Sequence, residues 1–241
     1  MTDADAASRG VGVVVVAAGS GTRLGADRPK AFVELAGQTL LEHSLDAVLA
    51  AGASALAVVV PADLLDEARG IVEPLTGCGC ATAEVVAGGA ERTDSVRAGL
   101  AAIPPDCGII LVHDAARCLT PAAVFSRVIE AVREGAAGAV PGIPVVDTVK
   151  TVDARGVITG TPDRAALRAT QTPQGFRADV LRDAYDRGSK ATDDAALVEA
   201  AGHDVIVVPG DQLAFKITTV EDLERAERVI AAERSARKGS R

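Results

Sequence analysis

The sequence predicts an α/β fold: a mostly parallel, Rossmann-like sheet flanked by helices, with a protruding β-hairpin arm. Three observations carry that prediction. Short β-branched runs alternate with helical patterns over the first two-thirds of the chain, the signature of βαβ units. Most of the runs are apolar on both faces, as strands covered by helices on each side must be. A glycine-rich stretch follows the first run directly, at the carboxyl end of a parallel strand, where open α/β sheets bind ligands.

The runs Val13 to Val16, Leu56 to Val60, Glu84 to Val86 and Ile109 to Val112 read as strands. Between the first two, Thr39 to Ala51 carries Leu41, Leu45, Val48 and Leu49 at helical spacing, with a capping box from Thr39 and Glu42 and Gly52 as the stop. Helices are likewise expected at Arg92 to Ala102 and Ala122 to Glu134. The order then breaks. Ala139 to Val146 is strand-like but interrupted by prolines, and Thr148 to Ile158 alternates around an Asp-Ala-Arg-Gly turn, so it reads as a hairpin. A polar hairpin this late in the domain has little of its own chain to pack on; it is either an ordinary surface hairpin or an arm that meets a partner subunit. Helices near Ala178 to Arg187 and Asp193 to Ala201, a strand at Val205 to Val208 and a helix from Glu221 to about Glu233 complete the set. The basic tail from Ser235 reads as frayed. No repeat and no Pro/Gly/Ser-rich linker divides the chain, so residues 1–241 read as one domain with an arm at about 147–163.

Composition excludes several function classes. A chain of 241 residues that is 48% apolar and only 2% aromatic builds its core from Val, Leu, Ile and Ala and offers few platforms for stacking single-stranded nucleic acid. With 25 basic against 33 acidic residues there is no global field to attract nucleic acid or an anionic membrane, so an anionic ligand needs a local concentration of cations. No apolar run approaches the roughly 20 residues of a membrane span, and Met1 to Ser8 lacks the pattern of a signal peptide. A cytoplasmic location follows as the natural reading. The thiols Cys78, Cys80, Cys107 and Cys118 include a Cys-x-Cys pair too tight for the usual zinc spacing and read as buried or incidental.

The stretch AAGSGTRLGADRPK, Ala17 to Lys30, is that local concentration. It is not a Walker loop, since Gly25 is followed by Ala26 and the lysine arrives only after Pro29. Nor is it a dinucleotide fingerprint, whose third glycine would stand where Leu24 does. What remains are glycines that let backbone N–H groups approach phosphate oxygens, and two separated cations, Arg23 and Lys30, the second fixed behind Pro29. The alternatives at this point are a solvated basic loop and a polyphosphate site built for nucleotidyl transfer, in which charge develops on the α-phosphate and on departing pyrophosphate.

Further motifs follow in order: LLEHSL, GGAERTDSV at Gly88 to Val96, LVHDAAR at Leu111 to Arg117, DTVK at Asp147 to Lys150, TPQGF at Thr172 to Phe176, TDDA at Thr192 to Ala195 and FKIT at Phe215 to Thr218. With the glycine loop they span nearly the whole chain, which resembles the sugar nucleotidyltransferases and, within them, the 2-C-methyl-D-erythritol 4-phosphate cytidylyltransferase family. The resemblance implies transfer of CMP from CTP to that polyol phosphate, releasing pyrophosphate and forming 4-diphosphocytidyl-2-C-methyl-D-erythritol in non-mevalonate isoprenoid biosynthesis. It implies Arg23 and Lys30 as stabilisers of the pentacoordinate transition state. Ala17, Ala18, Gly19, Gly89, Ser95, Asp114, Ala115 and Lys216 are then the nucleotide contacts. Asp114, Arg117, Thr148, Arg164, Thr172 and Lys216 are the substrate contacts. Magnesium accompanies the triphosphate, with Asp114 as its candidate ligand, and a homodimer forms through the arm, which can carry Thr148 and Arg164 to the neighbouring site. The chain departs from the family pattern at Ala90 and Cys118. Two rival readings stay open on the motifs: a ribitol-5-phosphate cytidylyltransferase, and a non-catalytic nucleotide-sensing module. An HD phosphohydrolase built on His113 and Asp114 lacks further ligands, since only His43 and His203 remain.

Overall fold

A computed structural model describes residues 10–19, 21, 24–25, 28–75, 80, 82–188 and 191–239. Its elements follow in chain order. The first half contains β1 (Val11–Val16), a small hairpin of β2 (Glu34–Leu35) and β3 (Gln38–Thr39), α1 (Leu40–Ala50), β4 (Ala55–Val60), α2 (Leu65–Val72), β5 (Thr82–Ala87), α3 (Arg92–Ala102), β6 (Ile109–Asp114) and α4 (Ala122–Arg133). The second half contains β7 (Gly138–Pro144), β8 (Thr151–Val152), β9 (Ile158–Gly160), β10 (Arg168–Thr170), β11 (Gln174–Arg177), α5 (Ala178–Asp186), α6 (Asp194–Ala200), β12 (Val205–Pro209) and α7 (Val220–Gly239).

Strands β5-β4-β1-β6 are mutually parallel, in that order. The sheet continues antiparallel through β11 to β7, whose other neighbours are β12, parallel, and β10, antiparallel. Alternation along the strands sends Val13, Val15, Leu56, Val58 and Leu111 to a layer with α1, α2 and α4. The intervening Val14, Ala57, Val59, Ile110 and Val112 meet α3, α5 and α6 on the other face. All residues of β4 and β6 are buried, as a strand sandwiched between helices requires. At α1 the Thr39 hydroxyl accepts from the Glu42 N–H at 3.2 Å and the Glu42 carboxylate accepts from the Thr39 N–H at 2.6 Å, the capping box read from sequence.

Several differences from the sequence reading have plain causes. The last three residues of TPQGF, with Arg177, form β11, an antiparallel strand wedged between β6 and β7; four residues carry too little periodicity to reveal it. Strand β7 begins at Gly138 and ends at Pro144, because a second proline removes a further ladder donor. The last helix runs to Gly239, through part of the tail read as frayed: its Glu, Arg and Ala residues are strong helix formers, and Ser235 donates back to the Ala231 carbonyl at 2.9 Å. The hairpin forms as β8 and β9, its turn held by the Asp153 carboxylate, which accepts from the Arg155 and Val157 N–H groups at 2.9 Å each. Cys80, Cys107 and Cys118 are buried free thiols, and Cys78 lies outside the described residues.

Gly99 on α3 shows how closely that helix lies on the sheet. A Cβ there would overlap a methyl of Val14 and come within 3.0 Å of one of Val59. Gly99→Ala therefore sets a helix-propensity gain of about 1 kcal/mol against an overpacking cost of about 1–3 kcal/mol. Both methyls belong to β-branched residues in buried strands, so overpacking wins; urea unfolding is expected to show a net loss of about 1 kcal/mol.

Candidate active site

Three segments converge at the carboxyl ends of the parallel strands. The connections leaving β1 and β6 lead to α1 and α4 on one face of the sheet, that leaving β5 leads to α3 on the other, and a crevice opens between them at the carboxyl ends of the strands. Into it project Ala17, Ala18 and Gly19 after β1, residues Gly89 to Arg92 between β5 and α3, and Asp114 with Ala115 and Ala116 at the end of β6. Lys30, Ser95 and Lys216 complete the lining of a cleft of about 410 Å³. Every sequence-predicted nucleotide contact lies on this cleft.

Each wall has a local reason for its position. The Ala17 N–H donates to the Val59 carbonyl at 2.8 Å, so the glycine stretch starts as an extension of the sheet before turning away. Lys30 opens a one-turn 3-10 helix behind Pro29, and the next two residues, Ala31 and Phe32, are buried and anchor it. Gly21 lies directly against Lys30 at φ +66°, and a Cβ there would overlap the Lys30 Cβ. Glycine is required at position 21 both by the backbone angle and by the lysine. Across the cleft, Ser95 is buried in the first turn of α3; its hydroxyl donates to the Glu91 carbonyl and accepts from the Gly89 N–H, at 3.2 Å each, shaping the Gly88–Gly89 corner.

Asp114 is the hub. It is the last residue of β6, which runs two residues beyond the strand read from sequence, and is paired in register with Val16. Its Oδ2 accepts from Lys216 Nζ at 2.7 Å, and its Oδ1 faces the Arg92 guanidinium at 3.5 Å. Burial alone would raise its pKa; the charges of Arg92 and Lys216 outweigh that and hold the carboxyl down to about 2. Arg92 turns its short bond, 2.7 Å, toward Asp194, a fully buried carboxylate that also accepts from the Tyr185 hydroxyl at 2.5 Å. Lys216 stands on a loop. That loop is pinned by the Ile217 N–H to the Ala116 carbonyl at 2.8 Å, by Arg117 Nη1 to the Ala214 carbonyl at 2.7 Å, and by Arg225 stacked 4.0 Å over the Phe215 ring.

The remaining sequence-predicted residues sit elsewhere. Thr172 is buried; its hydroxyl accepts from the Asp114 N–H and pairs with His113 Nδ1, both at 3.0 Å. Arg117 reaches backbone carbonyls beside the cleft, whereas Thr148 and Arg164 belong to the arm, with Arg164 Nη1 donating to the Val146 carbonyl at 2.8 Å. Arg23 lies outside the described residues. The sequence reading gave no role to Arg92, Asp194 or Tyr185, although the motifs GGAERTDSV and TDDA contain the first two. The only signal was a charged residue in each of two motifs far apart in the chain.

The fold and this cleft define an α/β nucleotidyltransferase. The model of the 2-C-methyl-D-erythritol 4-phosphate cytidylyltransferase family, IspD, matches residues 11–232. A protein of Nocardia farcinica with that name is 54% identical over 231 residues, covering 95% of this chain and 97% of its own. Among solved structures, the 4-diphosphocytidyl-2C-methyl-D-erythritol synthase of Anaerococcus prevotii superposes with a TM-score of 0.81 at 29% identity, covering 92% of this chain and 99% of that one. The cytidylyltransferase of Thermus thermophilus gives 0.72 at 36% identity, covering 90% and 98%. The chain belongs to the 2-C-methyl-D-erythritol 4-phosphate cytidylyltransferase family.

Acid sensitivity is built in beside the hub. His113 is fully buried against Phe125, and burial lowers its pKa to about 4. Its unfolded value is near 6.5, so the unfolded state takes up a proton first and stability falls as pH drops from about 6.5 to 4. Asp114 adds a second loss lower down, as pH falls from its unfolded value near 4 through its folded value of about 2. Denaturant unfolding at pH 7 and pH 5 is expected to differ by about 2 kcal/mol through His113. In His113→Gln that difference should shrink; an unchanged difference removes His113 as its source.

Proposed function

We propose that this cleft binds CTP and transfers its cytidylyl group to 2-C-methyl-D-erythritol 4-phosphate. The observation that carries the reading is the convergence of Lys30, Arg92, Lys216 and Asp114 with the glycine-lined carboxyl ends of β1 and β5, in a chain that belongs to the cytidylyltransferase family. The attacking oxygen is a phosphate oxygen of the polyol phosphate, already anionic near neutral pH because its second pKa is about 6. It forms a bond to the α-phosphorus of CTP while the bond from that phosphorus to the β-phosphate oxygen breaks, and the electron pair leaves with pyrophosphate. No general base is needed. The work is alignment and charge compensation, which fixed cations in a partly dehydrated cleft supply.

In this reading the backbone of Ala17 to Gly19 and of Gly89 holds the nucleotide, with Ser95 shaping the corner and Ala115 beside the ribose. Lys30, together with Arg23, compensates charge on the α-phosphate. Lys216 and Arg117 face the incoming phosphate. A magnesium ion on the triphosphate would screen its charge, and Asp114 fits as its single protein ligand: Mg²⁺ commonly takes one or two carboxylates plus substrate phosphates, and Oδ1 is not occupied by the short lysine bond. The described residues contain no group of three potential metal ligands, so the triphosphate and water would supply the rest of the ion's ligands.

The arm suits a homodimer. Val146, Val152, Val157 and Ile158 are all more than half exposed on or beside it, and Thr148 on it and Arg164 at its base are not among the residues lining their own chain's cleft, as would suit residues lent to a partner's site. No described helix is long and apolar enough to cross a membrane, and a cytoplasmic enzyme is the location that suits its small phosphorylated substrates.

Pyrophosphate release, followed with magnesium, each of the four NTPs and a panel of polyol and sugar phosphates, is expected only with CTP and methylerythritol phosphate. Turnover restricted to ribitol 5-phosphate would overturn the substrate assignment, and CTP binding without any turnover would overturn catalysis. Lys30→Ala should lower kcat by roughly a hundredfold, the scale of one lost electrostatic stabiliser. Gly21→Ala, which displaces that lysine, should lose kcat in the same direction. Deleting residues 148–158 is expected to convert a dimer to a monomer in light scattering; a persistent dimer places the interface elsewhere.

A further inference from the structure

Two carboxylates compete for one guanidinium at the cleft wall. Arg92 is bonded to Asp194 at 2.7 Å, while Asp114 sees it only at 3.5 Å. Nothing in their chemistry makes one carboxylate the stronger partner, so the asymmetry comes from position. Asp194 is the first residue of α6, has no exposed surface, and is fixed through its other oxygen by Tyr185, itself buried. Gln174 holds the same turn from the sheet side, accepting from the Ala195 N–H at 3.0 Å and donating to Asp193 at 2.9 Å. Arg92 is 28% exposed and stands at the start of α3 on the cleft lining. Without Asp194, its one remaining carboxylate partner among the described residues would be Asp114, and a bidentate Arg–carboxylate pair is the arrangement the two would adopt. That pair would close the side of Asp114 that faces the cleft.

We propose that Asp194 is a positioning residue: anchored by Tyr185, it draws the Arg92 guanidinium back from Asp114 and keeps Asp114 Oδ1 open to the bound nucleotide. Lys216 occupies the other oxygen, so Oδ1, met only by the long 3.5 Å contacts of Arg92 Nε and Nη2, is the acceptor the cleft retains. The inference rests on the reading of this cleft as the CTP site, and it places three residues in the reaction that the sequence motifs left without a task.

The test is CTP affinity by isothermal titration calorimetry, with and without magnesium, alongside KM and kcat for the full reaction. Asp194→Asn keeps the volume and removes the charge. It should bind CTP about tenfold more weakly, the scale of one lost bond to an ionised group, with the loss in the CTP terms rather than in KM for the polyol phosphate. Tyr185→Phe frees one oxygen of Asp194 and should give a smaller loss in the same direction. The decisive variant is the double change Asp194→Asn with Arg92→Lys, which keeps the positive charge on the cleft but removes the guanidinium fork that would pair with Asp114. It should bind CTP more tightly than Asp194→Asn alone. A merely structural role for Asp194 predicts the opposite, since the double variant has lost more buried bonding. A double variant no tighter than the single one overturns the proposal, as does a folded Asp194→Asn protein with wild-type affinity. Should Asp194→Asn fail to fold, Tyr185→Phe decides: wild-type CTP affinity there overturns the proposal. A wild-type protein that does not bind CTP would instead remove the functional reading itself.

Discussion

The structure depends on how a carboxylate can be charged and nearly buried at the end of the central strand. Asp114 terminates a strand whose every residue is buried, and burying an isolated ionised carboxyl there would be prohibitive. Two cations make it tolerable, Lys216 and Arg92, and neither is local: each lies far from Asp114 in sequence and arrives on a different connection. The ion cluster therefore fastens the start of α3 and the loop before α7 onto the end of β6. The strand order that places β6 beside β1 puts the glycine stretch and Lys30 at the same edge.

The same cluster explains how an acidic protein sets out a site for a polyanion. Its cleft is not a basic patch. Arg92 and Lys216 each face a carboxylate, which fixes their side chains and limits the field they exert on one another. Cations restrained in this way cost a ligand little reorganisation and act within a partly dehydrated space. Beneath them, His113 and Thr172 form a second buried polar layer that holds the Asp114 backbone, and Phe125 closes it from the α4 side. The imidazole stays neutral near pH 7 because burial lowers its pKa, so this layer adds no competing positive charge beneath the hub.

Much of the fold was legible because its signals are local. The apolar runs at Val13 to Val16 and Leu56 to Val60 needed only a count, and the Thr39–Glu42 box needed only three residues of spacing. The site was legible in halves. Glycines after a buried strand and a lysine behind a proline pointed to a phosphate loop, but nothing in the letters joined that loop to Lys216. The resemblance supplied that link, and the geometry gives it a cause in the 2.7 Å bond to Asp114. Arg92 and Asp194 were illegible for the same reason: each reads as a charged residue in a helix's first turn until the fold brings the two turns together. Thr172 shows the converse, a hydroxyl placed at the substrate by resemblance alone, whose bonds to the Asp114 N–H and to His113 Nδ1 no spacing in the sequence could reveal.

Thr148 and Arg164 raise the last question of construction, since a site that recognises two phosphorylated substrates needs more cations than one cleft wall provides. Adding them to the same loops would increase repulsion around Lys30, Arg92 and Lys216, with too few buried acids to balance it. In the proposed dimer, placing Arg164 at the base of an arm, held by its own bond to the Val146 carbonyl, would keep that charge solvated until another subunit's cleft presents a phosphate. The exposed valines and Ile158 of the arm then have a matching rationale. Apolar side chains left in water along a narrow hairpin gain nothing within one chain, whereas covering them in the proposed dimer would supply the free energy that holds Arg164 in reach of the second substrate.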